Sequence, residues 1–159
     1  MNSPSSGMGP SRDRAAPIIL RLLPHVHHPP ARVLVPDGRE GFEARALDAR
    51  GYRVTAMGDA PTAPGIAVLS GSFLDATGGP YDLVCDAGWF AQLGARDQGR
   101  YVAAAARVLR PGGLLFGAFP ADIAGAGGLI AQIASHFDVA RLEPSGAAGG
   151  WFEAVFVRR

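Results

Sequence analysis

Lysine is absent from the 159 residues: all fifteen basic side chains are arginines, set against fourteen acids for a net charge of +1. The arginines are scattered and never form a run, which excludes a charge-driven nucleic-acid or membrane-surface partner. A single cysteine, Cys85, rules out an internal disulfide and is compatible with a reducing compartment. No histidine, cysteine and carboxylate set has ligand spacing, so no metal is expected. His25, His27 and His28 run into Pro29 and Pro30 without further ligands and read as a surface linker. Long apolar runs are missing too. Pro17 to Leu23 is too short, and too interrupted by Arg21, for a signal or membrane segment, and a cytoplasmic protein is expected.

What is present is apolar material for one core, at 48% hydrophobic residues. Met1 to Ala16 is rich in Ser, Pro and Gly and reads as a disordered tail, leaving residues 17–159 as a single domain. Strand-like runs fall at Val33 to Val35, Tyr52 to Met57, Ile66 to Leu69, Leu83 to Cys85, Leu114 to Phe119, Phe137 to Leu142 and Trp151 to Val157. Helical stretches lie at Ala16 to Leu23, Gly41 to Arg50, Asp97 to Leu109 and Ile123 to His136. Strands therefore alternate with helices until the last two, which follow each other across Ser145 to Gly150 as a hairpin. This is an α/β pattern.

The connection between Met57 and Ile66 departs from it. It holds eight residues, among them Pro61, Pro64 and Gly65, whereas a parallel crossover usually needs about a dozen and often a helix. One sheet face is then undercovered and apolar, which points to self-association or a partner surface there, unless Pro17 to Leu23 folds over it.

The densest motif is Arg32 to Glu43, where the buried-strand run Val33-Leu34-Val35 turns through Pro36-Asp37-Gly38-Arg39-Glu40-Gly41 into a helix closed by Gly51. Here the chain resembles the class I S-adenosylmethionine-dependent methyltransferases, and within them the thiopurine methyltransferase-like branch, whose first motif reads roughly V-L-V-P-G-C-G-x-G. The resemblance runs from Ala31 to Arg159. Tyr81-Asp82-Leu83-Val84-Cys85-Asp86-Ala87-Gly88 is similar to the family's fourth strand, and Tyr101 to Gly113 to its helix ending in L-R-P-G-G.

The resemblance implies a Rossmann-like, doubly wound, mostly parallel seven-stranded sheet with an antiparallel C-terminal hairpin and helices on both faces, and the short Met57 to Ile66 connection leaves the helix after the second strand missing. It also implies a nucleoside site beyond the carboxyl ends of the strands, at the switch point after Val35. The family's first two glycines fall on Asp37 and Arg39, with Gly38 displaced between them and Gly41 in register. Arg39 stands where backbone normally approaches the cofactor. Asp37 is placed to bind an ammonium, or alternatively pairs with Arg39 at the helix entrance. The ribose acid aligns with Gly58, one position before Asp59, and the adenine-contacting acid with Ser72. At the fourth strand the acceptor arginine is Ala87, while Asp86 is the candidate catalytic base, and Trp89 and Phe90 either cover the transferred methyl or belong to the core.

S-adenosylmethionine held by Asp37, Gly38, Gly41, Asp59 and Ser72, with methyl transfer to a small-molecule acceptor, is thus the expectation, from an eroded site with impaired catalysis. The alternative is a catalytically dead methyltransferase fold that serves as a binding or regulatory subunit in a homo- or hetero-oligomer.

Overall fold

The structure, a computed structural model, describes residues 16–37, 41–58, 64–120, 129–145 and 150–159. Gly38, Arg39 and Asp59, residues 1–15 of the expected tail, and the first part of the helix expected from Ile123 lie outside these residues.

Seven strands form one sheet in the order β3-β2-β1-β4-β5-β7-β6. They are β1 (Arg32–Val35), β2 (Arg53–Met57), β3 (Ala67–Leu69), β4 (Tyr81–Asp86), β5 (Leu109–Pro120), β6 (Phe137–Pro144) and β7 (Trp151–Arg158). β1 to β5 are parallel, and β7 runs antiparallel between β5 and β6. The helices are α1 (Pro17–Leu22), α2 (Phe42–Ala49), α3 (Ala95–Val108) and α4 (Leu129–Ile133). None among the described residues is long and apolar enough to cross a membrane.

The period-two geometry of the strands divides the core. Val33 and Val35 point to the face carrying α1 and α2, and Leu34 to the face carrying α3. Both faces bury apolar side chains, so β1 is apolar from Val33 to Val35. Each such burial stabilises the fold by about 1.5–3 kcal/mol. α3 lays Tyr101, Ala104, Ala105 and Val108 on the sheet along one stripe, as its apolar spacing requires.

Two boundaries differ from the sequence reading. α3 ends at Val108, and Leu109-Arg110-Pro111-Gly112-Gly113 is the start of β5, not the helix end. The β4–β5 register jumps there, Tyr81 pairing Leu109 and Leu83 pairing Leu114, so Pro111 sits in a bulge where its missing N–H breaks no ladder bond. Ala16, assigned to the tail, is fully buried and caps α1.

β2 and β3 do pair in parallel, Thr55 with Ala67 through Met57 with Leu69, and Gly58 and residues 64–66 of their connection are not helical. α1 does not cover that edge. It lies over β5, held by Arg21 donating from Nε and Nη2 to Oε2 of Glu153 on β7, at 3.1 and 2.8 Å. The expected apolar face is also reduced, because Ile66 turns into the core and β3 is only three residues long. Among the described residues the exposed large hydrophobics are Leu69 (40%) and Val139 (46%), on strands at opposite ends of the sheet.

Candidate functional site

β1 and β4 are neighbours in the sheet, and the chain order reverses between them, so their carboxyl ends diverge around a cleft. The cavity there has a volume of about 260 Å³. Val35 and Asp37 enter its wall from the end of β1, Glu43 from the first turn of α2, Cys85 to Trp89 from the end of β4, and Trp151 from the start of β7. Three of these side chains are carboxylic acids, and none of the described wall residues is basic.

Asp86 organises the β4 exit. It is 1% exposed, and both of its oxygens are engaged. Oδ1 accepts the amides of Gly88 and Trp89, each at 2.7 Å, and Oδ2 accepts the amide of Phe90 at 3.1 Å and the Tyr101 hydroxyl at 2.6 Å. The carboxylate thus satisfies the amides that lead into the 3-10 turn Phe90–Gln92. Burial drives the Asp86 carboxyl above the ordinary aspartate value while these four donors act against it, and the net direction is upward. The Tyr101 hydroxyl is pushed well up by burial and by the acid beside it. Gly117 on β5 packs against the same residue: a Cβ there would stand 1.7 Å from the Asp86 carbonyl oxygen, and its φ of +153° is one that L side chains rarely adopt.

Glu43 is 8% exposed, and its Oε2 accepts the backbone amide of Ala16 at 2.9 Å, tying the start of α1 to the cavity wall. Gly41, directly before α2, holds φ +76°, the left-handed conformation that glycine adopts without steric cost. The Cys85 thiol also reaches the wall, with its pKa raised well above the usual range by burial and then by Glu43 and Asp86.

The structure brings Asp37, Asp86 and Trp89 together, as the sequence reading required of a site. It separates two others. Phe90 is fully buried, its ring 5.0 Å from that of Tyr101 and 5.8 Å from that of Phe119, so it packs in the core behind the cavity. Trp89 and Phe90 open the 3-10 turn Phe90–Gln92, where successive side chains diverge by about 120°, which sends Trp89 to the cavity and Phe90 inward. Ser72 is exposed and off the cavity wall; its hydroxyl accepts the Leu74 amide at 3.1 Å and caps the 3-10 turn Phe73–Asp75. Gly41 shapes the helix entrance without lining the wall.

Glu43, Cys85 and Trp151 are wall residues that the sequence reading did not assign. For Glu43 a signal existed, since an acid in the first turn after a glycine loop faces the helix entrance. Trp151 had none, because only the antiparallel pairing of β5 with β7 carries it to this end of the sheet. No group of histidines, cysteines and carboxylates that would hold a metal occurs among the described residues, and His27 instead pairs through Nε2 with the Gly112 carbonyl at 3.0 Å.

No family model matches the chain, and no curated protein does. Solved structures do. A TehB-like SAM-dependent methyltransferase from Corynebacterium glutamicum is 17% identical with a TM-score of 0.71, over 89% of this chain and 88% of that one. The 1,6-didemethyltoxoflavin-N1-methyltransferase of Burkholderia thailandensis, solved with 1,6-didemethyltoxoflavin and S-adenosylhomocysteine, is 19% identical with a TM-score of 0.72, over 90% and 76%. The N-methyltransferase NodS of Bradyrhizobium japonicum, in complex with S-adenosylhomocysteine, is 18% identical with a TM-score of 0.70, over 92% and 89%. At these identities the likeness is one of fold: the chain has the Rossmann-like architecture of the SAM-dependent methyltransferases.

Proposed function

We propose that the cavity binds S-adenosylmethionine and that the chain transfers its methyl group, inefficiently, to a small-molecule nucleophile. The observation that carries this reading is the company of carboxylates and tryptophans at the switch point, Asp37 and Glu43 sharing one cavity wall with Trp89 and Trp151. Carboxylates suit an ammonium, and indole faces suit a cation. The donor set therefore fits the methionyl end of the cofactor. At the adenosyl end the fit is poorer, because Ser72 lies off the cavity wall.

When bound, the cofactor supplies an electrophilic methyl group on a positively charged sulfur. Ala87 and Gly88 present little side chain at the β4 exit and leave room for an acceptor, while Trp89 and Trp151 add apolar surface to the wall. Asp86 works by position: it gathers three successive amides and so holds the turn that presents Trp89. Because both Asp86 oxygens are engaged, the acceptor has to bring a free lone pair of its own, as a thiolate or an unprotonated amine does.

A second reading rests on those same engaged groups. Ser72 and Asp86 perform structural tasks at positions where the resemblance places ligand contacts, which favours a methyltransferase fold retained as a binding or regulatory subunit. Titration calorimetry with S-adenosylmethionine and S-adenosylhomocysteine separates the two. Micromolar binding, followed by product formation in an acceptor panel of thiols and amines, is the expected result. No heat from protein shown to be folded would reject the enzyme and leave the subunit reading.

A further inference from the structure

We infer that the acceptor is a flat, uncharged aromatic nitrogen heterocycle, methylated on a ring nitrogen at the Trp89 and Trp151 side of the cavity to give a heteroaromatic cation. The inference rests on the methyl-transfer reading and names the class of acceptor for that same site.

Shape is the first support. Trp89 packs against the core on the α3 face of the sheet, its ring 6.1 Å from those of Phe73 and Tyr101, whereas Trp151 packs against the core on the α1 and α2 face. The two indoles therefore reach the cavity from opposite faces of the sheet. Both stand beside Gly88: Trp89 is the next residue, and a Cβ on Gly88 would lie 3.5 Å from Cη2 of Trp151. With no side chain on Gly88, this part of the wall is bare backbone and two indoles, a surface suited to a planar ring.

Charge is the second. Glu43 and Asp86 line the cavity, and none of the described wall residues is basic. An anionic nucleophile such as a thiolate meets like charge there, while a cation formed in the reaction is stabilised by the carboxylates and by the indole faces.

The third is the fate of the proton. An aliphatic amine, with a pKa of about 10, is protonated at neutral pH and needs a base to free its lone pair. Four donors occupy the Asp86 oxygens, so the acid at the β4 exit does not take that proton. A pyridine-type ring nitrogen needs no base, because its lone pair is free at neutral pH. That lone pair forms the N–CH3 bond as the S–CH3 bond breaks, and the S–C electron pair stays on sulfur. The positive charge passes from the sulfonium to the ring, and no proton is released.

Calorimetry of the full chain without cofactor compares quinoline, its cation N-methylquinolinium and the anion quinoline-4-carboxylate. Mass spectrometry then follows methylation of quinoline, thiophenol and cyclohexylamine with S-adenosylmethionine. N-methylquinolinium is expected to bind about tenfold tighter than quinoline, and the carboxylate to give no heat. Quinoline is expected to be methylated with kcat/KM at least about tenfold above thiophenol and cyclohexylamine. Trp151→Leu, which removes a flat face, is expected to lower that value about tenfold, and Trp151→Phe to stay within about threefold of the unaltered chain. Should the leucine variant not fold, the comparisons on the unaltered chain decide alone. A cation that binds no tighter than quinoline overturns the inference whatever the cofactor does. Heat from S-adenosylhomocysteine, with quinoline methylated no faster than thiophenol or cyclohexylamine, overturns it and leaves the methyl-transfer reading standing. No heat from S-adenosylhomocysteine rejects that reading, and the inference falls with it.

Discussion

Asp86 shows how one side chain can look catalytic in sequence and act as a structural hub in the fold. A strand-terminal acid before Ala87-Gly88 has the position of a base, but four donors converge on its two oxygens, and the closest is the Tyr101 hydroxyl at 2.6 Å. Tyr101 lies on α3, and nothing in the spacing of either segment shows that the two meet. Their contact follows from the β4–β5 crossover that carries α3 back over the sheet. Replacing Tyr101 with Phe keeps the ring contacts to Phe73, Trp89 and Phe90 and removes only the hydroxyl. Because a buried carboxylate then loses a charge-assisted donor, the variant is expected to lose about 1.5–3 kcal/mol of stability, measured as a lower urea midpoint with unchanged slope. If Asp86 positions Trp89 as argued, the tryptophan emission of this variant shifts as well.

At the scale of the element, α1 is the clearest case of a segment whose existence was legible and whose place was not. Pro17 at its first position and the apolar Ile18, Ile19 and Leu22 mark a short amphipathic helix. Six residues make no stable helix alone, so its structure depends on where it docks. Docking is decided at its two ends, by Glu43 accepting the Ala16 amide and by Glu153 accepting the Arg21 guanidinium. Glu153 is 8% exposed on an otherwise apolar stretch of β7, and Arg21 is what compensates it. Arg21→Ala is expected to cost about 1–2 kcal/mol, less than for a fully buried pair because the Arg21 side chain is partly solvated, with Glu153→Gln in the same background recovering most of it. Thermal melts of the single and double variants check this. β5 gives the opposite lesson: a run that resembles a helix ending was claimed by the sheet, since Leu109 pairs Tyr81 before the bulge begins.

For the whole molecule, pH exposes the balance of buried groups. Tyr52 and Tyr101 both have hydroxyl pKa values raised in the fold, chiefly by burial, so their contribution to stability is present below about pH 10 and is lost as pH rises beyond it. Asp82 is the reverse. Burial pushes its carboxyl up, but Arg110 at 2.6 Å and the Arg32 amide at 2.8 Å bring it below the ordinary value, so its contribution is present above about pH 4 and is lost as pH falls. Asp86, with a raised value, opposes this, favouring the fold below about pH 4 and less so as pH rises. A urea midpoint measured across pH is therefore expected to fall on the alkaline side, and Asp82→Asn to flatten the acid limb. The sequence by itself determined the alternation of strands and helices, the antiparallel close of the sheet and the turn into a helix after β1, because apolar periodicity and glycine placement are local properties of the chain. Only the tertiary structure decided that Glu43 and Trp151 join Asp37 and Trp89 at one cavity, that Phe90 and Ser72 do not, and that α1 covers β5 instead of β3. Those outcomes depend on strand order and crossover, which bring together residues remote in the chain, and on competition between donors that only the folded geometry arranges.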